Sequence, residues 1–201
     1  MNQILETKSK KSKIKKYIII LTTSTLSMAI FLSIFIVNLF EQNKQKELSE
    51  RLANNYKVYR LFADSNNSNL LLQDDDICGN IIIPKFNINY PFFYGLSDEL
   101  LKISPCRFNG KMPNYKSNLC IIGHNYNDDR FFGNLNKLNI GDIIVIEDLN
   151  NNSFNYTVFD IFEVDEEDAY SYAVKSKHDY ELTLVTCTNY NNKRLIIKAK
   201  K

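Results

Sequence analysis

Hydrophobic residues form one long uninterrupted run near the N-terminus and several short alternating runs in the second half of the chain. Residues 17–40 contain no charged side chain and are rich in Ile, Leu and Phe. This run of 24 residues is about the length that a helix needs to cross ~30 Å of hydrocarbon. The pattern predicts a membrane-spanning helix over residues 17–40.

A cleaved signal peptide is the alternative interpretation of this run. Its apolar core would be only roughly 7 to 15 residues long, and no small-x-small cleavage site closes the run before Glu41, so we favour an uncleaved anchor. Six lysines lie within residues 1–16, and positive side chains mark the cytoplasmic flank of a span. We therefore expect a cytoplasmic basic tail over residues 1–16, a single pass through the cell membrane, and an extracellular body.

The segment that follows the span has apolar residues at helical spacing. Leu48, Leu52, Tyr56, Tyr59 and Phe62 recur with polar residues between them, which predicts an amphipathic helix. We expect residues 41–77 to form this helix and a linker. The helix serves as a stalk that packs on the folded domain, or, as the alternative, it binds a partner.

Short runs with strand-like alternation dominate residues 78–201. Helical patterns are confined to residues 97–103 and 130–138. Predicted strands cover residues 80–83, 88–93, 118–123, 142–147, 154–164, 180–187 and 194–199. Seven or eight short strands with few helices predict a mainly β domain, an antiparallel barrel or sandwich, that begins near Cys78.

Charge and cysteine content exclude two classes of function. Residues 41–201 carry 19 basic and 22 acidic side chains, so the body of the protein offers no basic face for nucleic acid. The four cysteines form no Cys-x-x-Cys pair, and only two histidines could join them. A metal cluster is therefore not expected.

The C-terminal end of the domain concentrates reactive side chains. Residues 183–187 (Thr-Leu-Val-Thr-Cys) close one predicted strand, and Arg194 opens the next after a short turn. Facing Cβ atoms of an antiparallel pair lie roughly 4.5 to 5.5 Å apart. The thiol of Cys187 and the guanidinium of Arg194 can therefore share one pocket.

A cysteine nucleophile needs a base, and the chain offers His124 and His178. If the chain between His178 and Cys187 is extended, His178 lies roughly 30 Å away at about 3.3 Å per residue. His124 follows the apolar residues 120–122 and Gly123, so it stands at a strand exit, as Cys187 does. Whether the two exits adjoin is open from spacing alone, and a structural histidine with a buried core thiol is the alternative.

Together these residues resemble the sortase family of Gram-positive surface-protein transpeptidases. The resemblance rests on Thr-Leu-Val-Thr-Cys at residues 183–187, on Arg194 and on Gly123-His124, and it covers residues 78–200. It implies the eight-stranded closed β-barrel of that family. It also implies Cys187 as the nucleophile, His124 as the acid/base and Arg194 as the group that stabilises the substrate carbonyl and oxyanion. Val185 and Thr186 are expected to contact the substrate.

The resemblance further implies the reaction partners. These are surface proteins that bear a C-terminal sorting motif, and an amine of a peptidoglycan precursor or cross-bridge. No cofactor is implied. Glu163 and the acidic residues 165–168 lie where some sortases bind calcium, and a solvated turn is the favoured alternative for them.

The subclass is predicted less narrowly than the family. Pilus-building class C enzymes carry an Asp-Pro lid motif and a second apolar span, which this sequence lacks. The predicted stalk helix resembles class B, but the stretch between Val164 and Tyr180 is short for the helix-bearing insertion of that class. Class D remains an alternative.

Two other functions and one covalent feature stay open from the sequence. A cysteine hydrolase of cell-wall peptides would use the same Cys187 and His124 but would release an acid. A non-catalytic, membrane-tethered binding barrel would use Cys187 as a core thiol. Outside the membrane, Cys78 and Cys106 could also form a disulfide.

Overall fold

One long helix precedes eight strands. The computed structural model describes residues 2–62, 77–128, 130–188 and 192–201. The helices are α1 (Asn2–Phe62), α2 (Asp98–Ile103) and α3 (Glu166–Val174). The strands are β1 (Ile77–Ile83), β2 (Ile88–Phe93), β3 (Cys106–Asn109), β4 (Ser117–Ile122), β5 (Ile143–Asp148), β6 (Ser153–Asp165), β7 (Tyr180–Cys187) and β8 (Lys193–Lys200).

The predicted basic tail, span and stalk all fall within α1. The portion Lys15–Tyr56 is long and apolar enough to cross a membrane. Two compact units divide the chain at residues 46 and 47, so Met1–Lys46 is one unit and Glu47–Lys201 is the other. Most of the linker predicted before Cys78 lies outside the described residues. The boundaries predicted within residues 1–77 coincide with no break in α1 and stay predictions.

The eight strands close into a barrel in the order β1-β2-β3-β4-β7-β8-β6-β5, which confirms the predicted barrel. Each of the seven predicted strands is present within three residues of its expected bounds. The expectation of a purely antiparallel sheet is wrong, because β4 pairs with β7 in parallel and β2 meets β3 in parallel. A parallel pair needs a long crossover, and the chain between β4 and β7 supplies one that contains β5, β6 and α3.

Side chains alternate between the two faces of the barrel wall. On β7, Leu182 and Leu184 belong to the interior core, together with Leu195 and Ile197 of β8. The intervening residues Val185 and Ile196 point outward and belong to a second cluster, with Cys120 of β4 and Ala173 of α3. Helix α3 therefore covers the outer face of β4, β7 and β8.

Strand β3 was not predicted. Cys106 opens it, and the Phe93 N–H donates to Pro105 O over 3.0 Å just before it. One local expectation is wrong. The predicted helix over residues 130–138 reduces to one 3-10 turn, Leu135–Lys137, since Phe131 has a positive φ of 52° that no α-helix accommodates. The acidic residues 166–168, expected in a solvated turn, are exposed and form the first turn of α3.

Candidate active site

The parallel pairing of β4 and β7 brings two strand exits to one edge of the barrel. Ile122 is the register partner of Val185. Beyond it, the Gly123 N–H donates to Val185 O over 3.2 Å, and the Thr186 hydroxyl donates to Gly123 O over 2.7 Å. The next residues along the two strands are His124 and Cys187. The structure thus supplies the neighbourhood that residue spacing left open.

Glycine at position 123 is required by close packing. A Cβ there would approach the ring of Phe132 to 2.8 Å, and Phe132 is buried in the interior core. Any side chain would therefore displace Phe132 or separate the β4 exit from β7. Gly123 keeps the residue that follows it, His124, beside the end of β7.

Cys187 and Arg194 are direct register partners across the β7–β8 hairpin, as the sequence predicted. The Thr188 N–H donates to Lys193 O over 3.0 Å and continues the ladder beyond them. Arg194 lies on the outward face, the same face as Val185 and Ile196, because side chains alternate along a strand. Cys187 shares that face and is exposed.

The guanidinium of Arg194 is held from the side of α3. Its Nη2 donates to Oε1 of Glu166, the first residue of α3, and its Nη1 donates to Lys193 O over 3.3 Å. The backbone N–H of Glu166 also donates to Asn192 O over 3.1 Å. The start of α3 is therefore bound to the same hairpin through both backbone and side chain, and this fixes where the Arg194 fork lies.

The imidazole of His124 is half-buried, and burial lowers its pKa from the ordinary histidine value. The carboxylate of Asp98 opposes this change, whereas Lys102 and Arg130 reinforce it. Asp98 and Lys102 lie one turn apart on α2, whose N-terminus is capped by the Ser97 hydroxyl accepting from the Leu100 N–H over 3.2 Å. Burial thus makes the imidazolium of His124 a stronger acid and less populated at neutral pH.

Asn125 is a site residue that sequence reasoning missed. Its Nδ2 donates to Cys187 O over 2.9 Å, so the residue after the histidine ties its loop to the residue of the predicted nucleophile. The available signal was adjacency to His124, since amide side chains readily bond backbone groups of nearby turns. No spacing rule would have paired Asn125 with Cys187, which lies far along the chain.

A small cavity of about 140 Å³ opens beside Cys187. It is lined by Asn125, Phe132, Gly133, Asn136, Glu163, Thr186, Cys187, Thr188 and Leu195. Thr186, predicted to contact substrate, lies on this wall with its hydroxyl bound to Gly123 O. Val185, the other predicted contact, is only 4% exposed and packs beneath α3.

The four cysteines fall into two groups. Burial raises the pKa of Cys78, Cys106 and Cys120 to about 12 each, whereas Cys187 is exposed. The alternative of a Cys78–Cys106 disulfide is not realised in the structure. Both thiols are free, and their sulfurs approach Phe92 O at 3.7 Å and Ser104 O at 3.6 Å.

The remaining candidates lie apart from this edge or are engaged otherwise. His178 precedes β7 at the opposite end of that strand, is exposed, and stacks edge-on against Phe159 at 4.9 Å between centroids. Among the described residues, no group of three or more His, Cys, Asp or Glu side chains is arranged to hold a metal ion. Of the acidic residues considered for calcium, Glu166 instead binds Arg194.

Comparison with known proteins identifies the family to which this barrel belongs. A sortase domain model matches residues 81–201. A Clostridium perfringens sortase D5 transpeptidase superposes with a TM-score of 0.66 at 26% identity, over 77% of this chain and 98% of that one. Sortase A of Listeria monocytogenes gives 0.56 at 27% identity, over 63% and 87%.

A Clostridium perfringens sortase C, solved with the C-terminal cell wall sorting motif, gives a TM-score of 0.56 at 23% identity, over 80% of this chain and 88% of that one. At that identity the likeness concerns the fold alone. A search of curated proteins finds no significant match. Because the domain model spans more than half of the sequence, the chain belongs to the sortase family of cysteine transpeptidases.

Proposed function

We propose that Cys187, His124 and Arg194 carry out the transpeptidation that the family performs. The observation that carries this proposal is the joining of the β4 and β7 exits by the bonds between Gly123 and residues 185–186. Those bonds set His124 beside the end of β7, and the antiparallel register sets Arg194 opposite Cys187. The residues that carry an exposed thiol, an imidazole and a guanidinium thus lie at one edge of the barrel.

The first half of the reaction forms a thioester. The Cys187 thiolate attacks the carbonyl carbon of the threonine in a sorting signal, and the carbonyl oxygen gains negative charge. Arg194 donates hydrogen bonds to that oxyanion, and the imidazolium of His124 protonates the departing amine as the C–N bond breaks. The lowered pKa of His124 favours this proton transfer.

The second half of the reaction transfers the acyl group from Cys187 to the acceptor amine. An amine of a peptidoglycan precursor or cross-bridge attacks the thioester carbonyl and gives a proton to neutral His124. The Cys187 thiolate then leaves as the new amide bond forms. Thr186 lines the cavity beside Cys187, where a substrate can approach. Val185 is buried beneath α3 and supports the end of β7 rather than contacting the substrate.

The test uses the full-length enzyme in detergent micelles, mixed with a library of peptides that end in sorting pentapeptides. Intact-mass spectrometry should find an acyl adduct, and digestion should locate it on Cys187. Adding an amine then separates a transpeptidase from a cell-wall hydrolase, since a transpeptidase converts the adduct to an amide and a hydrolase yields the free acid. Absence of any adduct on Cys187 would contradict the proposal.

The membrane topology and class are part of the same proposal. The lysines before the apolar portion of α1 support a cytoplasmic N-terminus and an extracellular barrel in the cell membrane. Protease added to intact protoplasts should remove the barrel, whereas survival of the barrel until lysis would reverse the orientation. Similarity to the D5 enzyme over 98% of its length supports class D.

A further inference from the structure

The reaction needs a place for a second substrate. The cavity beside Cys187 is lined by inward-facing residues of the barrel wall, whereas Arg194 lies on the outward face. Two adjacent rows of register partners cross β7, β8 and β6 there. The outer row is Cys187, Arg194 and Val164, and the inner row is Thr186, Leu195 and Glu163. Leu195 belongs to the interior core, so its row faces the mouth of the barrel.

Glu163 is distinguished within the cavity wall. Of the described residues that line the cavity, it alone carries a carboxylate; Cys187 contributes its sulfur, and the others offer amide and hydroxyl groups or apolar surface. Glu163 is exposed and forms no ion pair with another described residue. Val164, not Glu163, is the register partner of Arg194. Because side chains alternate along a strand, Glu163 points to the opposite face from that guanidinium. Arg194 is bound instead by Glu166.

The wall of this cavity matches the chemistry of an ammonium group, which has three donors and no acceptor. Two strand spacings, about 10 Å, separate the backbone of Glu163 from that of Thr186. A glutamate side chain spans part of this distance and leaves a gap in which a small amine fits. The volume, about 140 Å³, corresponds to roughly four or five water molecules, which suits an amine on an unbranched carbon.

Resting on the transpeptidase function proposed above, we infer that Glu163 binds the ammonium of the acceptor in this cavity before it attacks the thioester. Cys187 then lies between a cationic group on the outer face of the barrel wall and an anionic group on the inner face. Arg194 on the outer side meets the oxyanion of the acyl group, and Glu163 on the inner side meets the incoming cation. The carboxylate holds the acceptor as an ammonium, which first loses one proton to solvent water to become the free amine. As that amine attacks the thioester carbonyl, His124 takes the second proton and Cys187 leaves as the thiolate.

The test separates the acceptor step from acylation. Full-length enzyme in micelles is charged with a sorting peptide and offered either glycinamide, an ammonium at neutral pH, or hydroxylamine, which is largely uncharged there. In E163Q the glycinamide concentration for half-maximal transfer should rise roughly five- to tenfold, as expected for losing a charge-assisted contact. The rate at saturating glycinamide should change little, and the response to hydroxylamine should stay as in wild type.

The matched control is E167Q, since Glu167 is an exposed acid of α3 that does not line the cavity. It removes the same charge nearby and should leave both acceptors unaffected. The inference is overturned if E163Q leaves the glycinamide response unchanged, if both acceptors weaken equally, or if E167Q reproduces the effect.

A binding measurement keeps the inference testable if no thioester forms. In full-length C187A enzyme, glycinamide should perturb the NMR resonances of Gly133 and Asn136, which line the cavity beside Glu163. The combined variant C187A/E163Q should require several times more glycinamide for the same perturbation. If glycinamide binding depends on Glu163 but the wild-type enzyme forms no thioester, the proposed catalysis is contradicted and the proposed binding site is retained. Binding that is indifferent to Glu163 would overturn this inference.

Discussion

Cys120 and Cys187 lie on neighbouring strands, point to the same outer face of the barrel, and yet have opposite environments. Cys120 is in the middle of β4, where α3 covers it and burial raises its pKa to about 12. Cys187 is at the end of β7, beyond that cover, and is exposed. Position along the strand relative to α3, rather than the residue type or the face of the sheet, therefore separates a buried thiol from an exposed one.

The neighbours of the two thiols differ in the same way. Cys120 faces Thr183 across the parallel pair, and the nearby charge of Lys198 only partly offsets the effect of burial on its pKa. Cys187 faces Arg194, and the loop that begins at His124 is tied to it through Asn125. The strand end thus gathers polar partners that a covered strand centre excludes.

Replacing each of the two cysteines by alanine should give the largest difference between them. Cys187→Ala should reduce transfer of a sorting peptide by at least about 10³-fold, because the nucleophile is lost, while the melting temperature hardly changes. Cys120→Ala should instead lower the free energy of unfolding by ~1 kcal/mol or more and spare transfer. Turnover and denaturant unfolding of both variants measure this, and retained activity in Cys187→Ala would show that the site is misassigned.

Alkylation tests the same contrast without substitution. At pH 8 a thiol with a pKa of about 12 is roughly 10⁻⁴ ionised, and the three buried sulfurs are also shielded from reagent. Iodoacetamide should therefore label Cys187 of the folded protein orders of magnitude faster than the other three, as peptide mapping over time would record. Labelling of Cys120 at a comparable rate would mean that α3 does not cover β4 in solution.

Arg194→Lys sharpens the comparison by altering only the partner of Cys187. A lysine keeps the charge but loses the planar fork that can bind Glu166 and an oxyanion together. We expect turnover to fall roughly 10²- to 10³-fold with little change in melting temperature. Lys193→Ala is the control, because Lys193 is adjacent to Arg194 on β8 and its side chain points to the opposite face of the sheet. Retention of more than about a third of wild-type transfer would reduce Arg194 to an ordinary surface charge.

The smallest expected effect concerns the titration of His124. Asp98→Asn removes the carboxylate that opposes the lowered pKa, so the pKa should fall further, whereas Lys102→Met should raise it. Imidazole proton shifts in an NMR pH titration would report both. Because the folded chain holds its proton less tightly at His124 than the unfolded chain does, this residue makes the protein less stable as the pH falls through the ordinary histidine range. A rise of the His124 pKa in Asp98→Asn, or a fall in Lys102→Met, would contradict the assigned causes.

Local features of the site could be predicted from the sequence, and distant pairings could not. Cys187 and Arg194 flank one hairpin, so their juxtaposition follows from strand alternation alone. The approach of His124 depends on β4 pairing in parallel with β7, and nothing in either strand specifies a partner some sixty residues away. The family resemblance implied that His124 and Cys187 act together, but neither the resemblance nor the spacing predicted the parallel pairing of the two strands.

The elements that sequence reasoning missed are short or ambiguous. Strand β3 has only four residues and follows Pro105, too few to establish an alternating pattern. Helix α3 begins with three acidic residues, which favour a helix N-terminus electrostatically but equally suit a solvated turn. Its single buried residue, Ala173, gives no apolar stripe. Glu166 consequently escaped notice as the partner of Arg194.

The parallel adjacency of β4 and β7 also makes activity a late event in the life of the chain. His124 and Cys187 come together only after the intervening β5, β6 and α3 have been enclosed, and pairing across so long a loop is entropically costly and slow. A partly folded chain in which only the β7–β8 hairpin has formed therefore holds Cys187 opposite Arg194 but without His124. If these residues catalyse the proposed reaction, transpeptidase activity appears only when β4 pairs with β7 and the barrel closes.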